Sequence, residues 1–194
     1  TRARIDGRVG AMSRATLEAL WPRALSPALY DWVASEVQSV SITGGTFRLG
    51  GKGGAGGLTA GAGESSAVLS LEIGQTRFRP APGLPFVDAP RALYRLEGSG
   101  FEIAMPEGTF DLGGSEGIAV RSARVATSDW WDPAAEAEVS FRLHGGLAEA
   151  IQLIELPAFG VGRIALLQGV VAQGRVEGQF STRVPLYADP ARRA

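Results

Sequence analysis

Asp129 and Asp132 flank Trp130 and Trp131 in Ser-Asp-Trp-Trp-Asp-Pro, residues 128–133. Two carboxylates beside aromatic rings are a pairing that glycan chemistry uses. The same six residues also carry the Ser, Asp and Pro of a tight turn, with the tryptophans tucked onto a sheet, and the turn reading leads. His144 is the single histidine and sits before Gly145-Gly146, where a structural or solvent-exposed role is expected. Lys52 lies in a glycine run, but no Gly-Lys-Ser/Thr leads into a helix, so a flexible loop is preferred to a phosphate cradle. Glu136 and Glu138 lie two apart on one strand face, and a solvated outer face explains them. There is no Gly-x-Ser-x-Gly elbow and no set of acids at metal-loop spacing. The expectation is no enzyme: no catalytic residues, no metal site and no cofactor.

Composition narrows the remaining classes. A chain of 194 residues suits one domain with one core. Its 19 basic and 20 acidic residues leave a net charge of −1, so nothing draws it globally to nucleic acid or anionic lipid. Mean hydropathy is slightly positive at +0.07, yet no apolar run reaches the roughly 20 residues that span a bilayer. The absence of cysteine removes disulfides, thiolate nucleophiles and Cys-zinc sites together. The chain begins at Thr1 without a signal-like segment and ends in Ala-Asp-Pro-Ala-Arg-Arg-Ala. It is therefore expected to be a fragment of a longer polypeptide.

The elements follow from periodicity. Ser13 caps a short helix that Trp21-Pro22 should stop near Leu20. Ser26-Pro27 opens a second, with Leu29, Trp32, Val33 and Val37 on one stripe. After Ser39 the period becomes two. Residues 50–66 are a glycine-rich stretch, expected to be a mobile hairpin tip. Leu69, Leu71 and Ile73 alternate with polar residues, as do Ala92, Tyr94 and Leu96. The Pro-rich segment 79–90 should be an irregular edge or loop. Gly98-Ser99-Gly100 and Pro106-Glu107-Gly108 are expected turns, the latter leading into Phe110 and Leu112. Ala135 to Leu143 alternates most clearly. Leu147, Ile151 and Ile154 form one face of a further helix, closed by Leu156-Pro157. Ile164 to Val171 fits either a helix or a strand, with a short helix preferred, and Val176 to Pro185 is a last strand.

The fold expected is mainly β within the α+β class: a curved antiparallel β-sheet or groove with two or three short helices. It is one domain over 1–194, with a helical start at 1–39, a meander at 40–143, and a helix and closing strand at 144–194. Many strands have an apolar face and few helices are available to cover them. Either the sheet closes on itself, or part of that face stays open for a greasy ligand or a partner.

The order Leu20-Trp21-Pro22, Tyr30-Asp31-Trp32-Val33 and the Gly44-Gly45 strand resembles the repeat start of the AsmA-like envelope proteins, especially the large YhdP and TamB-related members. Leu96-Glu97-Gly98-Ser99-Gly100-Phe101, the strand into Gly145-Gly146, the Leu156-Pro157 exit and the Val184-Pro185-Leu186 ending continue the likeness over nearly the whole chain. The long glycine loop departs from it. The resemblance implies a segment of a bridge-like lipid-transfer protein. Such a protein is anchored in the inner membrane of a Gram-negative bacterium outside this fragment and extends through the periplasm as a curved sheet with an apolar trough.

On that reading the partners are phospholipid acyl chains, with neighbouring segments of the same chain or other envelope proteins, and no nucleic acid. The groove candidates from this sequence are Leu69, Leu71, Ile73, Phe101, Ile103, Val139, Phe141 and Leu143. Alternation alone leaves core packing open at each of them. The rival class is a structural or protein-interaction β-module with a closed core. A glycan enzyme using Asp129 and Asp132 is the distant third.

Overall fold

A computed structural model describes residues 2–20, 33–54, 57–59, 66–80, 83–113, 117–129, 132, 134–156 and 173–185. The expected architecture is found: an open, curved, mostly antiparallel sheet with short helices. The strands are β1 (Arg2–Val9), β2 (Met12–Ser13), β3 (Val37–Gly54), β4 (Gly57–Thr59), β5 (Ser66–Phe78), β6 (Val87–Glu97), β7 (Gly100–Phe110), β8 (Ile118–Thr127), β9 (Glu136–Gly146) and β10 (Arg175–Pro185). Helix α1 spans Arg14–Leu20 and α2 spans Leu147–Ile154, and residues 33–36 are helical where they enter β3. Neighbours run β1-β3-β5-β6-β7-β8-β9-β10, with β2 and β4 both pairing to β3.

Local chemistry sets these boundaries. The Ser13 hydroxyl accepts the Thr16 N–H at 3.3 Å and so caps α1. Gly98, at φ 59°, is the first residue of a two-residue hairpin loop between Glu97 and Gly100. That conformation matches strand twist and favours glycine at this position. Gly7 stands opposite Phe47, and the Phe47 ring fills the space a Cβ at residue 7 would need.

Three expectations need correction. Pro106-Glu107-Gly108 is not a turn, because β7 runs through it. Pro90 likewise lies inside β6, whose pairing with β7 shifts register between Asp88 and Leu93. Proline cannot donate to a ladder, and these two fall where the ladder is irregular, which is how a sheet accommodates them. The glycine run is also not simply a loop. Gly50 and Gly51 pair with Arg4 and Ala3, Lys52 pairs with both Arg2 and Thr59, and Gly53 and Gly54 pair with Leu58 and Gly57 of β4. The helix expected from Ser26-Pro27 lies outside the described residues up to Trp32; residues 33–36 are helical, but Val37, expected on its stripe, already pairs with Phe78 as the first residue of β3. The segment Ile164–Val171 lies outside the described residues.

The core sits where α2 lies on the sheet. Val87, Ala89, Ala92, Met105, Phe110, Ile118 and Val120 cluster with Ala150 and Leu153 of α2. Leu153 is fully buried, whereas Ile154 is 39% exposed. The inward stripe of α2 is therefore centred on Ala150 and Leu153, not on Leu147, Ile151 and Ile154. The helix turns this stripe to the sheet because residues three apart share a face.

Candidate functional site: the apolar sheet face

Directly opposed residues of antiparallel strands share a face. Following the register across the sheet gives one continuous row: Gly45, Leu71, Tyr94, Ile103, Val125, Val139 and Thr182. A second row above it runs Phe47, Leu69, Leu96, Phe101 and Thr127. Below them lie Ile42, Ile73 and Ala92, and then the ladder Val37, Phe78, Val87, Phe110 and Ile118 that reaches the core.

All eight groove candidates fall on this one face, but they divide into two sets. Ile73, Phe141 and Leu143 pack against the core cluster that α2 covers. Leu69, Leu71, Ile103 and Val139 are half-buried and lie outside that cluster. Phe101, in the upper row, is 8% exposed and stacks on Tyr94 with ring centroids 6.4 Å apart. At the β1 side the face is more open, with Ile5 and its opposite Leu49 at 47% and 41% exposure. Sequence reasoning left out Tyr94, Leu96 and Val125, which complete the rows. Their alternation with Arg95, Glu97 and Arg124 was the available signal. Burial raises the Tyr94 phenol to about 12, which marks the row as a weakly solvated surface.

The other face is charged. Asp6 accepts from Arg4 at 2.7 Å and from Arg48 at 2.8 Å, which holds its carboxyl down to about 2. Glu102 accepts twice from Arg124, at 2.7 and 3.0 Å, and Glu138 lies 3.8 Å from the same guanidinium. Arg77 is shared between Asp88 and Asp111, and its guanidinium also covers the Phe86 ring at 4.9 Å. These contacts draw Asp111 below its ordinary value, chiefly through the hydrogen bond from Arg77.

A polar cleft of about 740 Å³ opens on this charged side, with Asp129 and Asp132 in its wall. The Asp132 carboxylate accepts the Ala134 N–H at 2.8 Å, and its carbonyl accepts the Ala135 N–H at 2.9 Å. Asp132 is thus occupied in shaping the β8–β9 connection, as a turn aspartate does. His144 is exposed on β9 between Ala119 and Glu177. Among the described residues, no group of three or more His, Asp or Glu is placed to hold a metal ion. No described helix is long and apolar enough to cross a membrane.

No protein family, curated protein or solved structure matches the chain.

Proposed function

We propose that this chain is a non-enzymatic segment of a lipid conduit, and that its apolar sheet face shelters acyl chains. The observation carrying this reading is the half-buried row Leu71, Tyr94, Ile103, Val125 and Val139, which crosses successive strands without a charged residue. An acyl chain laid along it gains about 0.8 kcal/mol per buried CH₂. The row carries no fixed cation to grip a phosphate, so a lipid is retained by its tails and can slide. The polar headgroup stays in water. Together with the resemblance to AsmA-like envelope proteins, this favours phospholipid transport or outer-membrane assembly in the periplasm, with the membrane anchor elsewhere in a longer chain.

A second reading has its own support: Ala150 and Leu153 of α2 are buried with the lower rows of the same face, as in a closed structural or protein-interaction module. A photo-crosslinking residue placed in turn at Leu69, Ile103 and Glu138 of the intact parent protein separates the two. Lipid adducts at Leu69 and Ile103, but not at Glu138 on the charged face, are expected. A folded protein with no adduct at either apolar site would sink the conduit and favour the closed module.

A further inference from the structure

From β5 to β10, charges that stand directly opposite one another on the charged face are of opposite sign, with one exception among the described residues. Arg77 faces Asp88, Arg95 faces Glu102, Glu107 lies between Arg91 and Arg121, and Arg183 faces Glu138. Arg121 on β8 and Arg142 on β9 break the pattern, because they oppose each other. Like charges so placed repel. Both side chains are exposed, and both strands are interior, with described neighbours on either side. Among the described residues, Arg91, Glu107, Arg121 and Arg142 make no ion pair and no side-chain hydrogen bond. The ladder Arg91, Glu107, Arg121, Arg142 therefore carries an uncompensated positive charge at its β8–β9 end.

The backbone is irregular at the same place. Between Arg121 and Arg124, β8 holds one residue more than β9 holds between Arg142 and Ser140. Ser122, in that bulge, has φ 51° and is the one non-glycine residue with positive φ among the described residues. The left-handed region is unfavourable for a residue that carries a Cβ. Bulges re-aim side chains beside binding sites, and backbone strain gathers at such sites. A single substitution would relieve either the repulsion or the strain, yet the chain carries both side by side.

We infer that Arg121 and Arg142 form a binding site for a phosphate group. Neighbouring strands lie about 5 Å apart, so two guanidiniums on them can grip one tetrahedral group from two sides. Each presents a fork of N–H donors that matches a pair of phosphate oxygens. One fork already occupies both oxygens of a carboxylate. A phosphomonoester has three free oxygens and close to two charges at neutral pH, so it satisfies both forks and cancels the repulsion. Ser122, exposed and next in the chain to Arg121, brings a hydroxyl donor to the bulge. The phosphate belongs either to a soluble monoester or to a lipid headgroup of the phosphatidic acid type. The inference does not rest on the conduit reading, since the pair lies on the face opposite the acyl row. Loss of this site should leave crosslinking at Leu69 and Ile103 intact.

The test follows the arginine Nε–Hε signals of the whole chain by NMR while inorganic phosphate is added, against sodium chloride at equal ionic strength. The Arg121 and Arg142 signals are expected to shift together and to saturate with phosphate alone. Arg121→Gln and Arg142→Gln should each raise the phosphate dissociation constant about tenfold or more, as loss of a charge-assisted pair of hydrogen bonds does. Arg8→Gln on β1 should change nothing. Without phosphate, both site variants should unfold at no lower urea concentration than wild type, because each removes the repulsion. Circular dichroism confirms that each is folded. Phosphatidylcholine vesicles with and without phosphatidic acid distinguish the two sources. Cosedimentation that needs phosphatidic acid and is lost in Arg142→Gln places the phosphate on a lipid. Saturable phosphate binding without cosedimentation places it on a soluble ligand. A phosphate response that chloride reproduces, one that both site variants retain, or urea midpoints lowered in both variants would each overturn the assignment.

Discussion

Leu153 and Ile154 are adjacent and chemically alike, yet the sheet treats them oppositely. Leu153 has no exposed surface and sits among Ile118, Val120 and Phe110, while Ile154 is 39% exposed. Leu153→Ala should cost about 2–5 kcal/mol in urea unfolding, because it leaves a cavity at the only described helix on the core. Ile154→Ala should stay within about 1 kcal/mol, as surface substitutions generally do. Equal costs would mean that α2 is not seated as described. Tyr94 gives a pH signature at the same scale. Its phenol is raised to about 12 because burial disfavours the charged form. The unfolded chain ionises near 10, so between 10 and 12 the folded state holds a proton that the unfolded state has lost. The contribution is complete below pH 10 and is lost as pH rises through about 12. Tyr94→Phe should flatten the fall in stability over that window, measured by denaturant titration at successive pH values.

Elements show where sequence patterns suffice and where they fail. Strand β9 was legible because Ala137, Val139, Phe141 and Leu143 alternate with charged or polar residues without interruption. Pro106-Glu107-Gly108 was misread because turn chemistry and bulge chemistry use the same residues. Only the partner strands decide between them, and here Glu107 is flanked by Arg91 on β6 and Arg121 on β8. The groove candidates were legible as one face, since period two fixes which residues share a side. Which of them are core was not legible, because that depends on where α2 lands, a long-range outcome with no local signal. Strand β1 shows how charge supports an element: Asp6 ties Arg4 of its own strand to Arg48 of β3. Hydrogen bonds from both guanidiniums lower the Asp6 carboxyl from 3.8 to about 2. Its support for β1 is therefore present above pH 3.8 and disappears as pH falls through about 2. Amide chemical shifts of β1 should report a transition near pH 2 that Asp6→Asn abolishes. An Asp6 titration at the ordinary carboxylate value would show that the Arg4–Asp6–Arg48 link does not hold in solution.

At the scale of the whole molecule, the sheet has one charged face and one apolar face, and a single described helix seals only one end of the apolar side. The two proposed uses of that face assign different work to the same residues. If the upper rows form a trough, Leu71 and Ile103 chiefly contact a ligand, and the fold depends on the rows beneath α2. If the face is closed, these side chains are core like any other. Leu71→Ser with Ile103→Ser therefore makes a discriminating pair against Leu153→Ala. In the trough, the double variant should lose most binding of a fluorescent fatty acid while costing less stability than Leu153→Ala alone. In a closed core the order reverses: two buried apolar side chains replaced by hydroxyls should cost more than one truncated leucine, since each hydroxyl is also deprived of water. Parallel urea unfolding and fatty-acid titration of the same three proteins read both quantities. Binding retained by the double variant alongside a stability loss larger than that of Leu153→Ala would end the trough reading, because the face would then hold the fold together and not the lipid.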